Sequence, residues 1–293
     1  MMLQPASVKL TAQSPKHRQK HPVKPAPTAN VSLVPRFGDG NSDTLSLRVK
    51  TTPDSEVSNT FLAKINEGLK SVPEVVLKSL NAANWNVQVS KFLTDALPDM
   101  KGMHPRGGDE WITAEHRSGV TIAPIIYLSE YQWCMPPKGP SKLTNSKLFP
   151  ALRKVKPPVE SPFGYLCRKV APDRTLRHEL GHALEILLRR IADTPEFIEA
   201  YERDLETMSP QERQEVYYFL QPDANGKPTQ GGRREAIAEA FASLWGGGCN
   251  DTRHFTGMFP NVMEFAKAQV EQLEQRNGRL PSAWDKGPPV LRP

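Results

Sequence analysis

The chain has 293 residues, 38% of them hydrophobic, which permits one large domain or two small ones and easily buries a catalytic core of about 200 residues. Its net charge of +6 sits in residues 1–36, which carry Lys9, Lys16, Arg18, Lys20, Lys24 and Arg36 and no acid; the 38 basic groups less these six leave 32, which 32 acidic groups balance. A basic, nucleic-acid-binding body is thereby excluded, and no stretch approaches a transmembrane span.

Residues 1–53 are expected to form a disordered, basic, Pro/Ser-rich leader, since the start of the chain is rich in Pro, Ser, Thr and Gln and poor in aromatics. It lacks the apolar core of a secretory signal peptide. The expected location is therefore cytoplasmic, or outside the cell by a non-classical export route. The leader reads either as a plain solvated segment or as an export address or partner-binding arm.

The apolar spacing of Phe61, Leu62, Ile65 and Leu69 predicts a helix over residues 54–70. A second helix is predicted from Pro73 to Leu80, with proline at a tolerated first-turn position. Asn84 to Val89 alternates polar and apolar as a half-buried strand does. Lys91 to Leu97 reads as a short helix ended by Pro98, and Gly102 to Gly108 as a loop. Ser118 to Leu128 carries the strongest strand signal. Pro124 removes a ladder donor there, so this strand is placed at an edge or given a bulge. It is either an ordinary strand broken by proline or an edge to which an extended peptide can add. Residues 133–163 hold seven prolines and a run of lysines and read as a Pro/Lys-rich loop, either solvated or overhanging a cleft. Cys134 and Cys167 bracket that loop. The odd cysteine count, completed by Cys249, argues for reduced thiols rather than a disulfide.

Next comes His178-Glu179-Leu180-Gly181-His182, which fits H-E-x-x-H. Chance matches are expected only about 0.01 times in a chain of this composition, so the motif is informative. On a helix, residues i and i+4 share a face, and His178 and His182 then offer two imidazoles to one metal ion. Glu179 leans toward the same pocket. Leu176, Leu180, Ala183, Leu184, Leu187 and Leu188 continue a helical apolar pattern, and Asp173 is expected to cap the start behind Pro172. Helices follow over 195–207 and 210–220, then a loop over 221–232 with Asn225-Gly226 and Gly231-Gly232 as turn signals. Residues 233–245 read as a helix stopped by Gly246-Gly247-Gly248. On it Glu235 and Glu239 lie at i and i+4 among apolar residues. Buried carboxylates need partners, and a zinc ion with its histidines would supply them: Glu235 as third ligand, Glu239 as acceptor for an imidazole N–H. His254 and Glu185 are the rival third ligands.

His178–Glu185 (H-E-L-G-H-A-L-E) followed, after a helical insert, by Glu235–Phe241 (E-A-I-A-E-A-F) resembles the zinc peptidase domain of the anthrax lethal factor group, within the gluzincins. Met258 to Phe265 is similar to that domain's closing helix. The resemblance implies an α+β, zincin-like fold with a small mixed sheet and an edge strand over a mostly helical half, spanning residues 54–275 and followed by a C-terminal tail over 276–293. It implies one Zn2+ per chain held by His178, His182 and Glu235, Glu179 as general base, Glu239 behind a ligand histidine, and a protein or peptide substrate. The expected function is a zinc-dependent endopeptidase, with an exported toxin or effector as a possible role. The family places an oxyanion-steadying tyrosine seven residues before the ligand glutamate; here that position is Pro228, and Tyr217, Tyr218 and His254 are the candidates to replace it. The alternative is a catalytically weak or inactive binding module that keeps a structural zinc. The sequence leaves the oligomeric state open.

Overall fold

The computed structural model describes residues 47–100, 117–134, 160–161, 164–168, 171–248 and 252–280. Its first layer is a mixed sheet of β1 (Arg48–Thr51), β2 (Asn86–Ser90), β3 (Gly119–Ile122) and β4 (Ile125–Ser129) in the order β1-β2-β4-β3. β1, β2 and β4 run parallel, and β3 returns antiparallel along β4 as the last described strand on that side. Alternation drives the burial: Val87, Val89, Ile126 and Leu128 are buried, while Asn86, Gln88, Ile125 and Tyr127, which alternate with them, are half-buried.

Two expectations are corrected here. The leader expected over residues 1–53 gives way to the fold earlier: Leu47 is buried and Arg48–Thr51 pair with β2. A four-residue strand whose pairing partner lies more than thirty residues on leaves little local trace. The single strand over 118–128 is a hairpin: Ala123-Pro124 makes the turn, and Thr121 and Ile122 pair with Ile126 and Ile125. Proline, which has no N–H to give a ladder, occupies the turn rather than a bulge.

α1 (Asn59–Lys70) starts later than the predicted residue 54 because Pro53-Asp54 forms a turn and Ser58 is the cap. The Ser58 hydroxyl accepts from the Phe61 N–H, and buried Glu130 accepts from both the Ser58 N–H and its hydroxyl. α2 (Glu74–Ala82) follows, then α3 (Leu93–Ala96), where Asp95 accepts from the Phe92 N–H and the Ser55 hydroxyl. The predicted loop over 102–108 lies outside the described residues.

A second, antiparallel sheet has β5 (Tyr131–Cys134), β6 (Glu160–Ser161) and β7 (Gly164–Arg168) in the order β5-β7-β6. The ends of the Pro/Lys-rich segment are therefore strands, while its middle lies outside the described residues. Cys134 stands opposite Tyr165, and Cys167 opposite Gln132, two rungs away.

The helical half comprises α4 (Pro172–Leu187), α5 (Pro195–Thr207), α6 (Pro210–Glu215), α7 (Tyr217–Leu220), α8 (Gln230–Leu244), α9 (Thr252–Met258) and α10 (Pro260–Gln275). The helix predicted over 210–220 divides at Val216. The expected closing helix divides at Phe259, because Pro260 opens α10. Buried Asp204 caps that start, accepting from the Asn261 and Val262 N–H groups at 3.0 and 2.9 Å. α4 and α8 pack through Leu176, Leu180, Leu184, Ile237 and Phe241, all fully buried. Gly181 sets their spacing: a Cβ there would stand 2.8 Å from the Ala238 Cα. The result is an α+β fold with a small mixed sheet beside a mostly helical half. None of the described helices is long and apolar enough to cross a membrane.

Candidate metal centre

The crossing of α4 and α8 brings the motif side chains together. His178 Nε2 lies 3.0 Å and His182 Nε2 3.3 Å from the same oxygen, Oε2 of Glu235. The two rings meet edge to face, with centroids 4.8 Å apart. Among the described residues, these three form the group whose ligand atoms lie mutually within 4.8 Å and suit a metal ion. His178 Nδ1 faces the other way and lies 2.7 Å from Oε2 of Glu239, which is fully buried. The chain after α8 crosses this carboxylate closely enough that a side chain at Gly248 would overlap it.

Both nitrogens of His178 thus face carboxylate oxygens. A neutral imidazole donates from one nitrogen only. If Nδ1–H donates to Glu239, Nε2 presents a lone pair toward the Glu235 oxygen, an arrangement that calls for a cation between them. Burial pushes the Glu235 carboxyl up, but the His182 and His178 imidazoles beside it outweigh burial and hold the group well below the usual carboxylate range.

Glu179 faces β3 of the sheet and is 7% exposed. The Thr121 hydroxyl on β3 lies 2.7 Å from its Oε2 and 3.0 Å from its backbone oxygen. Tyr218, on α7, donates to Glu235 Oε2 at 2.6 Å and is 47% exposed. Tyr217, its neighbour on α7, is 52% exposed. His254 pairs with Glu215 at 3.4 Å. Glu185 is fully buried against Arg190 at 3.1 Å and Arg234 at 4.0 Å, and burial raises its pKa despite them. Neither rival third ligand joins the group.

Asp173 does not cap α4 as expected. Ala171 is the cap residue, and Asp173 instead holds Arg177 at 2.6 Å. Arg177 also donates to the Gly247 carbonyl at 2.8 Å, which ties the loop after α8 to α4. A buried guanidinium claims the carboxylate more strongly than an N–H at a proline-led helix start. Thr121, Gly119, Gly248 and the Arg177–Gly247 contact carry no sequence signal, because each meets its partner only through the tertiary fold.

No protein-family model matches the chain, and no curated protein matches it. Among solved structures, the chain is similar to the Pro-Pro endopeptidase PPEP-2 from Paenibacillus alvei, at 19% identity and a TM-score of 0.45, over 75% of this chain and 96% of that one. So distant a likeness carries no argument about activity. The functional reading rests on the side chains of the site.

Proposed function

We propose that the protein is a zinc-dependent endopeptidase. The observation that carries the reading is the convergence of His178 Nε2 and His182 Nε2 on one oxygen of Glu235, with Glu179 beside them on the same helix. Zinc bonds of ~2.0–2.2 Å in a tetrahedron separate ligand atoms by about 3.3 Å. The separations of 3.0 and 3.3 Å in this site suit that ion. Bound zinc would supply a Lewis acid that polarises a scissile carbonyl and eases ionisation of a water.

The remaining chemistry belongs to the chain. Glu179 takes the proton of the attacking water on its carboxylate and hands it to the leaving amine nitrogen. Glu239 fixes the His178 tautomer by accepting its Nδ1–H, and Glu235 completes the ligand set. Tyr218 is the oxyanion donor: its hydroxyl reaches the ligand oxygen of Glu235, while Pro228 occupies the position seven residues before Glu235. β3, the last described strand on its side of the sheet, offers an extended peptide an edge for main-chain pairing.

Elemental analysis after zinc reconstitution, combined with cleavage-site profiling on a proteome-derived peptide library, tests the reading. The expected result is one zinc per chain, with peptide cleavage by wild type and near-total loss in Glu179→Gln at unchanged zinc content. Absence of bound zinc would overturn the metal assignment. Bound zinc without any Glu179-dependent cleavage would favour a binding module that keeps a structural metal, the reading to which Pro228 gives support.

A further inference from the structure

The proposed base is held from the sheet side. Gly119 and Thr121 are two residues apart on β3, so they face the same way, toward α4. Thr121 places its hydroxyl 2.7 Å from Glu179 Oε2. Gly119 faces the other carboxylate oxygen: a Cβ there would stand 2.9 Å from Glu179 Oε1, 3.0 Å from its Cγ and 2.9 Å from the Thr175 methyl. One oxygen is thus bound by a donor, and the space beside the other is left open by a missing side chain. The Thr121 hydroxyl has a single proton and two acceptors within reach. The charged carboxylate at 2.7 Å takes it over the Glu179 carbonyl at 3.0 Å, because bonds to ionised acceptors are shorter and stronger.

Resting on the peptidase reading, we infer that Thr121 and Gly119 form a cradle on β3 that positions the Glu179 carboxylate, and that Thr121 is a positioning residue for the base. The alternative for Glu179 is rotation about its own side-chain bonds, of which a glutamate has three. The cradle removes that freedom. It also joins two tasks on one strand: β3 is the edge available to an extended peptide, and its inward face sets the group that would act on that peptide. A substrate pairing along β3 is therefore registered against the base through the same backbone.

The test compares Thr121→Val and Thr121→Ser with wild type, using a peptide that wild type cleaves and Glu179→Gln does not. Valine keeps the β-branched shape and strand preference and removes only the hydroxyl. Misplacing a catalytic group by about 1 Å can cost ~100-fold. We expect Thr121→Val to lower kcat by roughly 10- to 100-fold with KM, zinc content and melting temperature close to wild type, and Thr121→Ser to restore most of kcat. A crystal structure of zinc-loaded Thr121→Val should show the Glu179 carboxylate turned from its wild-type place. Wild-type kcat in Thr121→Val, a loss of kcat that follows a loss of zinc, or an unmoved carboxylate would each overturn the inference. If wild type cleaves no peptide, the peptidase reading fails, and the position of the carboxylate in the Thr121→Val crystal still decides whether the cradle exists.

Discussion

At the residue scale, one oxygen of Glu235 is the meeting point of the site. Two imidazole nitrogens and the Tyr218 hydroxyl all lie within 3.3 Å of it. On the peptidase reading, a half-exposed phenol so placed stands where an oxyanion would develop beside the candidate ligands. Removing one oxyanion donor typically costs ~10²–10³ in kcat. Tyr218→Phe is accordingly expected to lower kcat by about 100-fold, with zinc content and KM little changed. Tyr217→Phe, also exposed but outside the cluster, is expected to match wild type. Equal losses in the two variants, or none in Tyr218→Phe, would remove Tyr218 from the chemistry. That Tyr218 is the candidate whose hydroxyl reaches Glu235 is not legible in the sequence, because it depends on the break at Val216 and on the packing of α7 against α8.

At the element scale, the site is an interface between two helices, and its tolerance is set by Gly181. Alanine would ordinarily favour a helix over glycine by up to ~1 kcal/mol. Here an added methyl would overlap the Ala238 backbone, and backbone is not a flexible side-chain end that can move aside. Overpacking of a well-fitted contact costs about 1–3 kcal/mol. Gly181→Ala is therefore expected to lower the melting temperature despite its helix propensity, and to weaken zinc affinity, because His182 is the next residue and Glu235 rides on the displaced partner. Isothermal titration and thermal unfolding check the two effects. A variant that is both more stable and equally zinc-binding would mean the helices part without cost. The helices themselves were readable: His178 and His182, and Glu235 and Glu239, follow a period that any isolated helix obeys. The sheet was less so. β1 is only four residues long, β5 and β7 pair across a segment of thirty residues, and the hairpin at Pro124 looks like one strand until its register is known. Thr121 left no signal, since its partner lies 58 residues away.

At the scale of the whole molecule, the candidate ligands come from elements far apart in sequence, and their cluster exists only when α4 and α8 are assembled. His182 and Glu235 are separated by α5, α6 and α7, so an unfolded chain presents no comparable set. An ion that binds the folded state and not the unfolded one stabilises by mass action, by about 2.7 kcal/mol at a free concentration a hundred times its Kd. For a domain of 150–250 residues, each kcal/mol shifts the midpoint by roughly 2–4 °C. Zinc added to chelator-stripped protein at that excess is therefore expected to raise the melting temperature by about 5–10 °C. Glu179→Gln should show the same rise, because Glu179 faces Thr121 rather than the ligand group. Glu235→Ala should lose most of it, and His254→Ala, whose imidazole pairs with Glu215 and lies outside the three-residue group, should keep it. Differential scanning calorimetry across these four proteins separates the roles without requiring a substrate. A full rise in Glu235→Ala together with none in His254→Ala would transfer the third ligand to His254 and place the metal outside the cluster described for α4 and α8.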